Sequence, residues 1–151
     1  SGTAGNTLCK GGSQPTIWYS LPSASAITDT TLDGGIGVNV DAQATAANFT
    51  LTGGTGWIPV NFNWLPGGSP ISNLPIDPTN TVVDLANVAY TDLVYRYQCN
   101  YIDLTFELGS RLESAAYTSD DTKMTKDGGN SDNYYEVGTK LTILDGATNQ
   151  Y

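Results

Sequence analysis

The alternation of apolar and polar positions is sharpest in the second half of the chain. In Tyr101–Leu108, Ile102, Leu104, Phe106 and Leu108 alternate with Asp103, Thr105 and Glu107. A period of two puts the first set on the core face of a strand and the second toward solvent. Leu93–Cys99 is another strand-like run, and Asn100 between the two predicts a tight hairpin. Residues 117–133 are polar, acidic and glycine-rich, the composition of a long surface loop. Tyr134–Gly138 and Lys140–Leu144 then read as a last strand or hairpin.

The first half is less regular. Thr16–Leu21 is a β-branched and aromatic run stopped by Pro22, and Ile36, Val38 and Val40 alternate with Gly37 and Asn39. Both runs predict strands. Residues 41–49 are alanine-rich, enough for one or two helical turns. Pro59 restricts Trp57–Phe62 to an edge strand or an extended segment. Pro66, Pro70, Pro75 and Pro78 keep residues 63–80 irregular, with Leu65, Ile71, Leu74 and Ile76 expected to pin the stretch to the core. No helical pattern of ten or more residues and no internal repeat is present. The residues alone predict an antiparallel sheet of about four or more strands with long loops and little helix; a β-sandwich also fits.

The length of 151 residues suits one domain. Within it, residues 1–15 read as a disulfide-tethered arm and 145–151 as a loose tail, with 16–55 and 56–144 between them. Charged residues make up only 14 % of the chain, so Ser, Thr, Asn and Gly must supply the polar surface. The formal charge of −9 repels phosphate backbones and anionic lipid, which argues against nucleic acid and direct membrane contact. No apolar run reaches the roughly 18 residues a membrane span needs.

The absence of His removes the commonest general base and triad partner. A nucleophile would need another base, such as a lysine, and none of Lys10, Lys123, Lys126 and Lys140 lies in an apolar run that would lower its pKa. The expectation is no catalytic residue and no enzyme. Cys9 and Cys99 are too few for a zinc cluster. Their wide separation suits one disulfide in an oxidising compartment; two buried thiols are the alternative.

Several motifs between residues 56 and 144 together resemble the head domain of type IV pilins, and more loosely the major pseudopilins of type II secretion. They are Gly56–Phe62, then Gly68–Asn80 with its Leu74-Pro75-Ile76-Asp77-Pro78, and Tyr95-Arg96-Tyr97. Phe106-Glu107-Leu108, Leu112-Glu113-Ser114, Asp127-Gly128-Gly129-Asn130 and Tyr134–Thr139 follow in order. The order is similar to that of the major pilins of candidate-phylum bacteria. The resemblance covers 56–144 and leaves 16–55 unmatched, which sets the division between those two regions. The resemblance implies an α+β head and a structural subunit of an extracellular, cell-surface filament, with copies of itself as partners. Such subunits also carry an N-terminal hydrophobic helix, which this chain does not contain; the expectation is a soluble head without it. A secreted carbohydrate-binding or adhesin domain is the alternative.

Three sets of residues are candidate sites. Asp120, Asp121, Asp127, Asn130, Asp132 and Glu136 cluster in and just after the acidic loop, with Gly128 and Gly129 allowing a tight turn. Calcium takes six to eight such oxygens, and the pseudopilin resemblance also points to a late calcium loop. A solvated acidic turn is the other reading, and no cofactor is required by either. Trp18, Trp57 and Trp64 could stack on sugar rings, or pack the core and sheet edge. Among the remaining carboxylates, Asp77 before Pro78 suits a turn that its own side chain closes. Asp103 and Glu107 read as solvent-facing strand residues.

Overall fold

The computed structural model describes residues 17–22, 46–85, 88–100 and 103–144. At its centre is one antiparallel sheet in the order β1 (Trp18–Tyr19), β2 (Arg96–Asn100), β3 (Thr105–Ser110) and β4 (Tyr135–Gly138). Among the described residues helix is confined to single turns. Cys9, the arm over 1–15, the expected strand at Ile36–Val40 and the tail over 145–151 lie outside the described residues.

β2 and β3 follow the alternation, with Tyr97 opposite Leu108 and Cys99 opposite Phe106. Their hairpin is wider than the tight turn expected at Asn100. The ladder closes at Asn100 opposite Thr105, with Asp103 and Leu104 lying before β3 in the turn. Asn100 Oδ1 accepts the Asp103 N–H (3.2 Å), and Leu104 turns into the left-handed region at φ 55°. That turn carries Leu104 off the core face and into solvent.

Strand pairing assigns each side chain to a face. Trp18, Tyr97, Leu108 and Val137 line up on one, joined by Cys99 and Phe106. Trp57, Ile58, Val60 and Leu74 cover this face and complete an apolar cluster with Trp18 and Tyr97. Burying one such side chain stabilises by about 1.5–3 kcal/mol. The other face carries Tyr19, Arg96, Gln98, Glu107 and Glu136, all buried. Ile17, Val88, Val94, Tyr134 and Leu144 form a second cluster around Tyr19.

Residues 63–80 are irregular as expected, but their anchoring differs. Of the four apolar residues expected to pin them, only Leu74 is buried; Leu65, Ile71 and Ile76 are exposed. Hydrogen bonds to main-chain carbonyls replace the missing contacts: Leu74 N–H donates to Thr50 O (2.6 Å) and the Trp57 indole Nε1 donates to Pro75 O (2.9 Å). Trp57–Val60 is buried but outside the sheet ladders, and the chain next winds into a short 3-10 turn at Phe62–Trp64. The expected long loop over 117–133 contains two short turns, Ala116–Asp120 and Lys123–Thr125, the second held by buried Met124. After β4, residues 141–144 form a turn, not a further strand.

Among the described residues, both outer strands of the sheet are short. β1 pairs through two residues. On β4, the Glu136 N–H does not join the ladder to β3; Asp127 Oδ2 accepts it (2.7 Å), so a side chain closes the strand's outer edge.

Candidate functional site

The densest chemistry lies on the polar face. β3 and β4 pair with Glu107 opposite Gly138 and Gly109 opposite Glu136. Each glutamate therefore faces a glycine, and the two carboxyls sit diagonally on one face. A Cβ at Gly138 would strike Phe106 O, and one at Gly129 would strike Glu136 Oε2, so both positions need glycine to keep this packing. Glu107 is fully buried and Glu136 is 2 % exposed. This overturns the solvent-facing position expected for Glu107; Asp103, expected to face solvent with it, is exposed but lies in the hairpin turn before β3. The reason is the chain beyond β4, which folds back over this face and uses Glu107 as its anchor.

Glu107 Oε2 accepts the N–H groups of Ile143 (2.6 Å) and Leu144 (2.9 Å). Glu136 Oε2 accepts the Ser131 N–H (2.9 Å). Oε1 of each receives no N–H, and the two side chains are hydrogen-bonded to each other. Two carboxylates that close cannot both stay ionised in a dry site. Burial first, then the hydrogen bond and charge of Glu107, push the Glu136 carboxyl up to about 9; the Asp127 charge adds to this and the Ser131 N–H opposes it. At neutral pH Glu136 thus carries the proton that joins the pair. Gln98, directly opposite Glu107, is fully buried beside it.

Arg96 occupies the same face, fully buried between aromatic rings. Its Cζ lies 4.4 Å from the Tyr134 centroid and 5.6 Å from that of Tyr19. Its two terminal nitrogens donate to Val94 O (3.1 Å) and Ala89 O (2.8 Å). Asp92 supports the same strand entry, accepting from Ala89 (2.8 Å) and Val83 (3.3 Å).

A second polar knot ties three distant segments together. Asp77 Oδ1 accepts the N–H of Thr79 (2.8 Å) and Asn80 (3.2 Å), closing its own turn. The turn presents Asn80, at φ 46°, to Ser20. Asn80 Oδ1 accepts the Ser20 hydroxyl (2.7 Å), and Asn80 Nδ2 donates to Ser20 O (2.6 Å). Ser20 Oγ in turn accepts the Tyr95 N–H (2.9 Å), linking β1 to the entry of β2.

The six acidic-loop residues are not brought together. Asp121 pairs with Lys123 (2.7 Å) and Lys126 (3.4 Å), whose hydrogen bonds lower its pKa. Asp120 and Asp132 are exposed, as is Asn130. Asp127 accepts from Gly129 (3.0 Å) and Glu136, and Glu136 turns inward to Glu107. Among the described residues, no three His, Cys, Asp or Glu side chains are grouped to hold a metal ion. Cys99 is disulfide-bonded. Trp18 and Trp57 are core residues, whereas Trp64 is 74 % exposed. The apolar face keeps an open groove of about 270 Å³, lined by Trp57, Ile58, Tyr95, Leu108, Tyr135 and Val137 among others.

Sequence reasoning missed Glu107, Arg96 and Gln98 as buried residues. In a chain only 14 % charged, a charge inside a strand-like run was the available signal for Arg96 and Glu107; Gln98 had none. No family model matches the chain, and neither the curated proteins nor the solved structures contain a match.

Proposed function

We propose that the chain is the head domain of a surface-filament subunit of the type IV pilin or pseudopilin kind, an extracellular α+β domain whose work is mechanical and not catalytic. One observation carries the reading. The polar residues within the motifs that resemble pilin heads are the residues that tie the backbone together. Asp77 and Asn80 hold Ser20, Glu107 holds Ile143 and Leu144, and Asp127 and Glu136 hold the loop before β4. A motif kept together by such clamps fits a shared frame that must resist unfolding under load. The carboxyls that would attract a catalytic reading are buried and face the protein's own backbone.

Immunogold electron microscopy with antibody against this domain, on cells that carry the gene, tests the reading. Gold along extracellular filaments is the expected result. Diffuse or intracellular label, with bare filaments, would overturn it. Binding of the isolated domain to a glycan array, in that second case, would put the adhesin reading in its place.

A further inference from the structure

Residues 42–76 contain no Asp, Glu, Lys or Arg, in a chain of net charge −9. Two surfaces of the molecule draw on this stretch. One is the groove on the apolar face, which has no charged residue among its described lining. The other is the turn that displays Trp64. Its indole is 74 % exposed, and Leu65 beside it is 47 % exposed.

The turn is held in shape before any partner arrives. Asn61 Oδ1 accepts the Asn63 N–H (3.1 Å), Leu65 N–H donates to Phe62 O (3.2 Å), and Gly68 N–H donates to Leu65 O (2.8 Å). A preorganised aromatic knob loses little conformational entropy on docking. Trp is also among the side chains enriched as binding anchors. Trp64 is absent from the described lining of the groove, so within one copy the knob and the groove remain separate.

Like charges oppose the approach of two copies of an acidic chain wherever charged surfaces meet. That opposition is least where neither surface carries charge. We infer that Trp64 of one copy docks in the groove formed by Trp57, Ile58, Tyr95, Leu108, Tyr135 and Val137 of a second copy. Knob and groove are different surfaces, so the contact is head-to-tail, and repeating it builds an open chain of subunits unless the rotation closes a ring. One Trp buries about 150–250 Å², far below the roughly 1,200 Å² of a stable interface. The contact alone is therefore weak, and gains strength when other contacts hold the subunits in a row. It deepens the filament reading and rests on it for its setting.

Two variants test it, Trp64→Ala and Val137→Asp, both at exposed positions and each checked for folding by near-ultraviolet circular dichroism. Sedimentation equilibrium of the wild-type domain at high concentration should reveal weak self-association, reduced at least about tenfold in either variant. A mixture of the two should form a 1:1 dimer and nothing larger, because one supplies an intact groove and the other an intact knob. Should Val137→Asp fail to fold, NMR on the wild type replaces it. Concentration-dependent shifts should then appear at the Trp64 indole and the Leu108 and Val137 methyls. A wild type that stays monomeric at millimolar concentration overturns the contact, as do variants that associate like wild type or shifts elsewhere. Gold-labelled filaments with any of these results would leave the filament reading standing without this contact.

Discussion

The two faces of the sheet solve the same problem with different chemistry. One is covered by Trp57, Ile58, Val60 and Leu74 packing on Trp18 and Tyr97. The other buries Arg96, Gln98, Glu107 and Glu136 and holds its covering segments by hydrogen bonds. Apolar contacts are nondirectional, so the first face accepts changes of shape at modest cost. Buried polar groups accept only their partners, so the second face fixes which backbone atoms lie over it.

The largest break in that contrast should come from Glu107→Ala. It strands the N–H groups of Ile143 and Leu144 and leaves Glu136 without its partner. Urea unfolding should register a loss of about 3–5 kcal/mol. A loss below about 1 kcal/mol would mean that solvent already reaches this face.

Next in size is a pH effect. Glu136 keeps its proton to about 9 in the folded chain, against an ordinary value of 4.5. Between these values the unfolded chain holds fewer protons than the folded one. The contribution is complete below about 4.5 and is lost as pH rises through about 9. From pH 7 to 9, stability should fall by about 2–3 kcal/mol. Glu136→Gln, which keeps the group neutral, should flatten that slope. An unchanged slope in the variant would assign the loss to other groups.

On the apolar face, Trp57→Phe removes the bond to Pro75 O and part of one ring while keeping an aromatic in place. Thermal melts should show a loss of about 1–2 kcal/mol, with no change in pH dependence. The smallest effect belongs outside both faces. Asp121→Asn breaks two exposed ion pairs with Lys123 and Lys126, and the melting temperature should not move measurably.

The apolar face was largely legible in the sequence. Tyr97, Cys99, Phe106 and Leu108 alternate as a sheet face must, and β2 and β3 appear where that alternation runs. The polar face was not, because alternation assigns every polar strand residue to water. Glu107 is buried through contacts to Ile143 and Leu144, some 36 residues away, and no local pattern carries such a pairing. Leu104 failed for a different reason: the Asn100–Asp103 bond starts the turn before the hydrophobic run ends. Leu65, Ile71 and Ile76 failed because Leu74, the hydrogen bonds at Thr50 and Trp57 and the Asn80–Ser20 bonds hold their segment without them. Asp77 was legible, since an Asx turn is a local event.

Asp127 has a consequence for any assembly of this chain. By accepting the Glu136 N–H, it occupies the position where a neighbouring subunit's carbonyl would have to bind to extend the sheet. Successive copies are thereby barred from growing as one continuous hydrogen-bonded ribbon along that margin. If copies of the chain assemble as proposed, fibre diffraction from the aligned assembly should lack the meridional reflection near 4.7–4.8 Å that stacked strands produce.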